Sequence, residues 1–192
     1  LSGMPIGAMN GAARDWLPIL HPDDRDRFKL TFDTVIEHRR GRIVQEFRVT
    51  DEDGTPIVGA EVDVWQTNDD GLYDVQQPGV QPEMNMRGMF RTDENGNYSF
   101  VTVKPLPYSI PTDGPVGRML DAMGRHAMRP AHIHYIVTAP GHEQLVTHIF
   151  VKDDPYLDSD AVFGVKENLI VDFEREGENW KADFTVKLKK VD

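Results

Sequence analysis

From Ile43 onward the chain is divided into short runs of alternating apolar and polar residues, cut apart by Gly, Pro, Asn and Asp, and that texture admits few folds. Successive side chains of a strand point to opposite faces, so a run of period two buries only one of them. Residues 180–188 are the clearest case, with Trp180, Ala182, Phe184, Val186 and Leu188 on one side and Lys181, Asp183, Thr185 and Lys187 on the other. The same reading predicts strands over 42–50, 60–66, 97–103, 132–138, 145–151 and 168–173, with a hairpin turn near Gly177. Short half-buried strands need a second layer against which to pack, so the expected fold is all-β, an antiparallel sandwich.

Two long insertions interrupt the strands: 67–95, with Met84, Met86 and Met89, and 104–128, with a short helix expected around 116–123. Long ordered loops on a rigid sheet scaffold are where sites are usually built. Ahead of the first strand, His21-Pro22-Asp23-Asp24 has the form of a helix start. Phe28, Phe32, Val35 and Ile36 then make one apolar stripe, and Gly41 ends the segment. The chain therefore divides into an N-terminal segment with one amphipathic helix, 1–41, and a sandwich domain, 42–192.

The formal charge of −11 argues against nucleic acid or an anionic membrane surface as a partner. There is no cysteine, which excludes thiolate metal sites and cysteine catalysis and leaves nitrogen and oxygen donors for any metal. No apolar run reaches the length of a membrane span and no signal segment opens the chain, so the expectation is a cytoplasmic protein without membrane insertion.

The chemistry concentrates in Arg129-Pro130-Ala131-His132-Ile133-His134-Tyr135. Alternation sends His132 and His134 out of one face and Ile133 and Tyr135 out of the other. Their Cα atoms would lie roughly 6.5 to 7 Å apart, close enough for both rings to reach one metal ion. Exposed or hydrogen-bonded histidines would show the same spacing, so other ligands are needed to decide.

Turns at Asp53-Gly54 and Asp93-Glu94-Asn95-Gly96, feeding alternating strands, are similar to those of prealbumin-like sandwiches. A more specific resemblance lies in Val64-Trp65-Gln66-Thr67-Asn68-Asp69-Asp70-Gly71-Leu72-Tyr73-Asp74, Pro107-Tyr108-Ser109-Ile110-Pro111, Gly124-Arg125-His126 and Arg129-Pro130-Ala131-His132-Ile133-His134. That ordered set resembles the intradiol ring-cleavage dioxygenases. Thr147-His148-Ile149-Phe150-Val151 and the stretch from Asp154 to Lys166 resemble the hydroxyquinol branch more than the catechol or protocatechuate branches. A short stretch from Trp16 through Asp24 to Val49 is also similar to the second half of a PAS sensory domain, but too few residues precede it for a free-standing sensor.

The intradiol resemblance implies a non-haem Fe(III) cofactor held by Tyr73, Tyr108, His132 and His134. A different metal in the same ligands is the alternative, but two phenolates favour Fe(III) over Zn(II) by charge and hardness, and a trivalent cation permits a phenol to ionise. Tyr98 and Tyr135, within strands, and Tyr156, in an acidic loop, are expected to pack or to lie at the surface. Arg129 would lie over the substrate ring, where a permanent positive charge stabilises negative charge on the ring, although a salt bridge to a nearby carboxylate is the alternative. His148 would line the pocket and His126 would make structural hydrogen bonds, while His21, His38 and His142 would be surface residues. The substrates implied are a small aromatic 1,2-diol and O2, with Tyr108 leaving the metal as the diol binds and the ring opening between its two hydroxyl-bearing carbons. The resemblance implies a longer helical region ahead of the first strand and a Gly-Pro-Phe loop, whereas 41 residues precede the first expected strand here and that loop is not found among them. A homodimer through Phe28, Phe32 and Ile36 is expected. The alternative function is a prealbumin-like binding or sensory module without catalysis.

Overall fold

The computed structural model describes residues 42–177 and 179–191, so the helix expected in the N-terminal segment lies outside the described residues. The chain forms strands β1 (Arg42–Asp51), β2 (Glu61–Trp65), β3 (Arg87–Arg91), β4 (Asn97–Val103) and β5 (Tyr108–Ser109), then helix α1 (Pro115–Ala122). Strands β6 (Met128–Arg129), β7 (His132–Thr138), β8 (Leu145–Val151), β9 (Ile170–Val171), β10 (Glu174–Glu176) and β11 (Asn179–Leu188) follow. One sheet has the order β10-β11-β1-β4, the second β3-β2-β7-β8-β9, and β5 and β6 pair as a separate ribbon.

The alternating runs bury the faces expected of them. Ala182, Val186 and Leu188 of β11 are buried, as are Ile133, Tyr135 and Val137 of β7. Phe47 of β1 stacks on Tyr98 and Phe100 of β4 at 5.0 and 5.7 Å between centroids, and meets Tyr135 of the other sheet at 5.3 Å. Burying such a side chain stabilises the fold by roughly 1.5 to 3 kcal/mol, so this aromatic cluster joins the two sheets. Tyr98 and Tyr135 are therefore packing residues.

The structure departs from expectation in three respects. The sandwich is not wholly antiparallel, because β11 runs parallel to β1, from Ile43 beside Trp180 to Asp51 beside Leu188, and β9 runs parallel to β8. Alternation fixes which face is buried but not the direction of the neighbouring strand. The first insertion contains β3, which adds an edge strand against β2. The strand expected over 168–173 contracts to two residues after the short 3-10 turn Glu167–Leu169. Among the described residues no helix is long and apolar enough to cross a membrane.

Candidate metal centre

Strands β2, β7 and β8 bring a row of rings to the end of one sheet face. Register places Trp65 opposite His134, and His134 opposite His148, with His132 opposite Phe150 on the next rung. Trp65 lies flat against His134, centroids 4.8 Å apart and planes 5° apart. Two loops complete the site. Tyr73 precedes the 3-10 turn Asp74–Gln76, whose Gln76 Oε1 accepts from the Tyr73 N–H at 2.8 Å. Asp74, buried, anchors the insertion by accepting from Met84 N and pairing with Arg87. Tyr108 enters on β5, in register with Arg129 of β6, so one short ribbon delivers both. Gly71, at φ +74°, allows the two loops to meet, since a Cβ there would stand 3.0 Å from the Tyr108 Cβ.

The four expected ligands converge. His134 Nε2 lies 3.0 Å from His132 Nε2 and 3.1 Å from the Tyr73 hydroxyl. That hydroxyl is 3.1 Å from the Tyr108 hydroxyl, itself 3.4 Å from His132 Nε2. Four donors about 2.0 to 2.2 Å from a common centre stand roughly 3 to 3.5 Å from their neighbours, so this closed ring fits one metal ion. The His132 Nδ1–H donates to the Pro130 carbonyl at 2.6 Å, which turns the Nε2 lone pair into the ring. Among the described residues no three His, Cys, Asp or Glu side chains are grouped for a metal. Any metal here therefore depends on the phenols.

Burial governs the electrostatics. It holds His132 down to about 2, aided by Arg129 and His134, and His134 to about 4, aided by His148 and Arg129. Both rings are thus neutral, as ligation requires. Burial, and after it the Tyr108 hydroxyl, pushes the Tyr73 phenol well above its ordinary value. A buried phenolate needs a compensating cation, so the donor set suits a hard, highly charged ion.

Arg129 is 7% exposed and directs Nη1 at His132 Nε2, 3.2 Å away, while its Nε pairs with Asp160 at 3.1 Å. The salt bridge expected as the alternative reading is present on the Nε edge of the guanidinium, and Nη1 faces the donors. His148 packs edge-on against Phe150 at 4.6 Å, with its centroid 5.6 Å from both His132 and His134. Its buried Nε2 has no hydrogen-bond partner. His126 stands apart, accepting from Met128 N at Nδ1 and donating from Nε2 to Ser159. His142 is half-buried at the surface, with Nδ1–H donating to the Pro140 carbonyl. His21 and His38 lie outside the described residues. Sequence reasoning missed Asp160 and the flat contact of Trp65. Strand register carries the second, and nothing in the sequence marks the first.

Two imidazoles and two phenols close one ring of nitrogen and oxygen donors beneath an arginine on a β-sandwich, a ring of the size one metal ion would need. A family described as Dioxygenase matches residues 21–189, and this chain belongs to the intradiol ring-cleavage dioxygenases, which use non-haem iron. It is 62% identical over 128 residues to the hydroxyquinol 1,2-dioxygenase of a Rhizobium strain, covering 67% of this chain and 43% of that one. With the 6-chlorohydroxyquinol 1,2-dioxygenase of Cupriavidus pinatubonensis it shares 49% over 142 residues, covering 73% and 51%. The crystal structure of a hydroxyquinol 1,2-dioxygenase from Pseudomonas putida superposes with a TM-score of 0.74 at 46% identity, over 79% of this chain and 57% of that one. The chain thus spans about half the length of the relatives it matches. The family match takes in the segment from His21 that resembles a PAS domain, and that resemblance gains no support.

Proposed function

We propose that the chain is the catalytic domain of a non-haem Fe(III) enzyme that opens an aromatic ring between two hydroxyl-bearing carbons and inserts both atoms of O2. Hydroxyquinol, giving maleylacetate, is the first substrate, and catechol, giving cis,cis-muconate, the alternative. The observation that carries this reading is the closed ring of Tyr73, Tyr108, His132 and His134 donors at 3.0 to 3.4 Å, with Arg129 Nη1 directed into it. The relatives named for hydroxyquinol support the substrate class.

Those four side chains would hold the ion, which when bound supplies Lewis acidity and draws electron density from a coordinated diolate. The remaining roles fall to this chain's own groups. Tyr108 sits on a two-residue ribbon outside the main sheets, and its phenolate oxygen takes one of the two protons the incoming diol gives up, the other passing to solvent. Arg129 holds a permanent charge where the deprotonated ring accumulates negative charge. Phe150, buried and with its ring 5.6 Å from that of His132, keeps water from the inner side. His148 Nε2, lacking a partner in the protein, is placed to bond a substrate hydroxyl.

The proposal includes a division at residue 42, with the preceding helical segment mediating a homodimer through Phe28, Phe32 and Ile36, in the cytoplasm. Size-exclusion chromatography of F32D, expected to elute as a monomer, tests that part.

The test of the chemistry is the visible spectrum of the iron-loaded chain, without and with hydroxyquinol under anaerobic conditions, followed by admission of O2. A burgundy tyrosinate-to-iron band that shifts with the diol and returns to its resting position as oxygen is taken up stoichiometrically supports the reading. A chain that stays colourless after iron is supplied overturns it and leaves a binding module.

A further inference from the structure

Beyond the ring of donors, the corner at residues 159–164 is built around a carboxylate that no metal-binding role requires. Asp160 is 3% exposed, and both of its oxygens are fully engaged. Oδ1 accepts from Arg129 Nε at 3.1 Å and from Val162 N at 3.3 Å, and Oδ2 from Arg129 Nη2 at 3.4 Å and Gly164 N at 2.9 Å. The corner itself is held from behind. Arg125 donates to the carbonyls of Ser159, Asp160 and Ala161, and Ala161 N donates to Met128 O, beside Arg129 in β6. Gly164 completes the fit, because a Cβ there would stand 3.1 Å from Arg129 Nη2, 3.2 Å from Asp160 Oδ2 and 3.4 Å from His148 Nε2.

We infer that Asp160 is a positioning residue for Arg129: its carboxylate occupies the Nε and Nη2 edge of the guanidinium, so that only Nη1 is turned toward His132 and the space above the four donors. A guanidinium presents its donors in one rigid plane, so fixing one edge fixes where the opposite corner points. An Arg side chain free of that clamp has many rotamers, and few of them aim Nη1 at His132. The backbone amides of Val162 and Gly164 in turn keep the carboxylate from rotating, and Arg125 keeps those amides in place. Asp160 makes no hydrogen bond to the four donors, and its direct contact with the site runs through Arg129. This inference rests on the proposed function for its catalytic consequence, but not for the geometry.

The experiment is a double-mutant cycle of D160N and R129Q, read as kcat/KM in the iron-loaded chain alongside iron content, the visible band and the melting temperature. D160N alone is expected to lower kcat/KM by roughly 10- to 100-fold with iron content and band position kept, as for other residues that orient a functional group from behind. In the R129Q background the same change is expected to cost less than about threefold, since a residue acting through Arg129 has nothing left to position. Equal cost in both backgrounds overturns the inference while leaving the proposed function standing. Should D160N fail to fold, R125A in place of D160N completes the cycle with the same criteria. A second readout needs no activity: in the 15N-labelled chain the Arg129 Nε–H, identified by its absence in R129K, should exchange slowly, and at least tenfold faster in D160N. If the wild-type chain oxidises no diol, the proposed function fails, and this exchange rate alone decides the positioning, with an unprotected wild-type Nε–H overturning it.

Discussion

Trp65 lies face to face with His134, planes 5° apart, because β2 and β7 pair them directly across the sheet. The stack fixes the orientation of a ring that has one nitrogen in the donor ring. W65A is expected to destabilise the chain by about 2 to 3 kcal/mol and to weaken iron binding by roughly tenfold, whereas W65F keeps most of both. Denaturant titration and competitive chelation measure the two effects, and unchanged chelation in W65A would contradict the role.

The phenol of Tyr73 bridges Tyr108 and His134 in the donor ring. Y73F removes an anionic donor without emptying space, so the fold should hold while iron retained after dialysis falls at least about tenfold. Metal analysis and the loss of visible absorbance check this, with the melting temperature of the metal-free chain expected to be unchanged.

His148 leaves a buried nitrogen without a protein partner beside the site. If that nitrogen bonds a substrate hydroxyl, H148L should lower kcat/KM for hydroxyquinol by about tenfold or more and for catechol much less. Equal losses for both diols would assign His148 to packing.

His132 and His134 sit near 2 and 4 in the folded chain because burial excludes the charged form. In the unfolded chain both return to about 6.5. Below that value the unfolded state binds protons that the folded state does not, so stability present above about pH 6.5 is lost as pH falls toward 4. The urea midpoint of the iron-free chain should therefore drop over that range, and drop less in H134Q. A pH-independent midpoint would show that the two rings take up protons without unfolding.

The last strand and the core face of β7 were legible from residues alone, since a period-two pattern reports burial directly, and a short helix was expected where α1 lies. The pairing of His132 with His134 was legible for the same reason. The tyrosines were not. Spacing ranks Tyr73 and Tyr108 no higher than Tyr98 or Tyr156, and only likeness to a family singled them out. Nor did alternation foretell that β11 would run parallel to β1, or that the first insertion would supply β3.

What the sequence determined by itself is a sandwich with two imidazoles leaving one strand face, because side-chain alternation is a property of a single extended segment. What the tertiary structure decided is everything that depends on segments meeting. It brought Tyr73, at the head of a 3-10 turn, to Tyr108 on a two-residue ribbon, set Trp65 and His148 on either side of His134, and gave Arg129 a carboxylate 31 residues further along the chain. Those contacts rest on strand register and on loops anchored by Asp74, Asp160 and Arg125, which no local periodicity encodes.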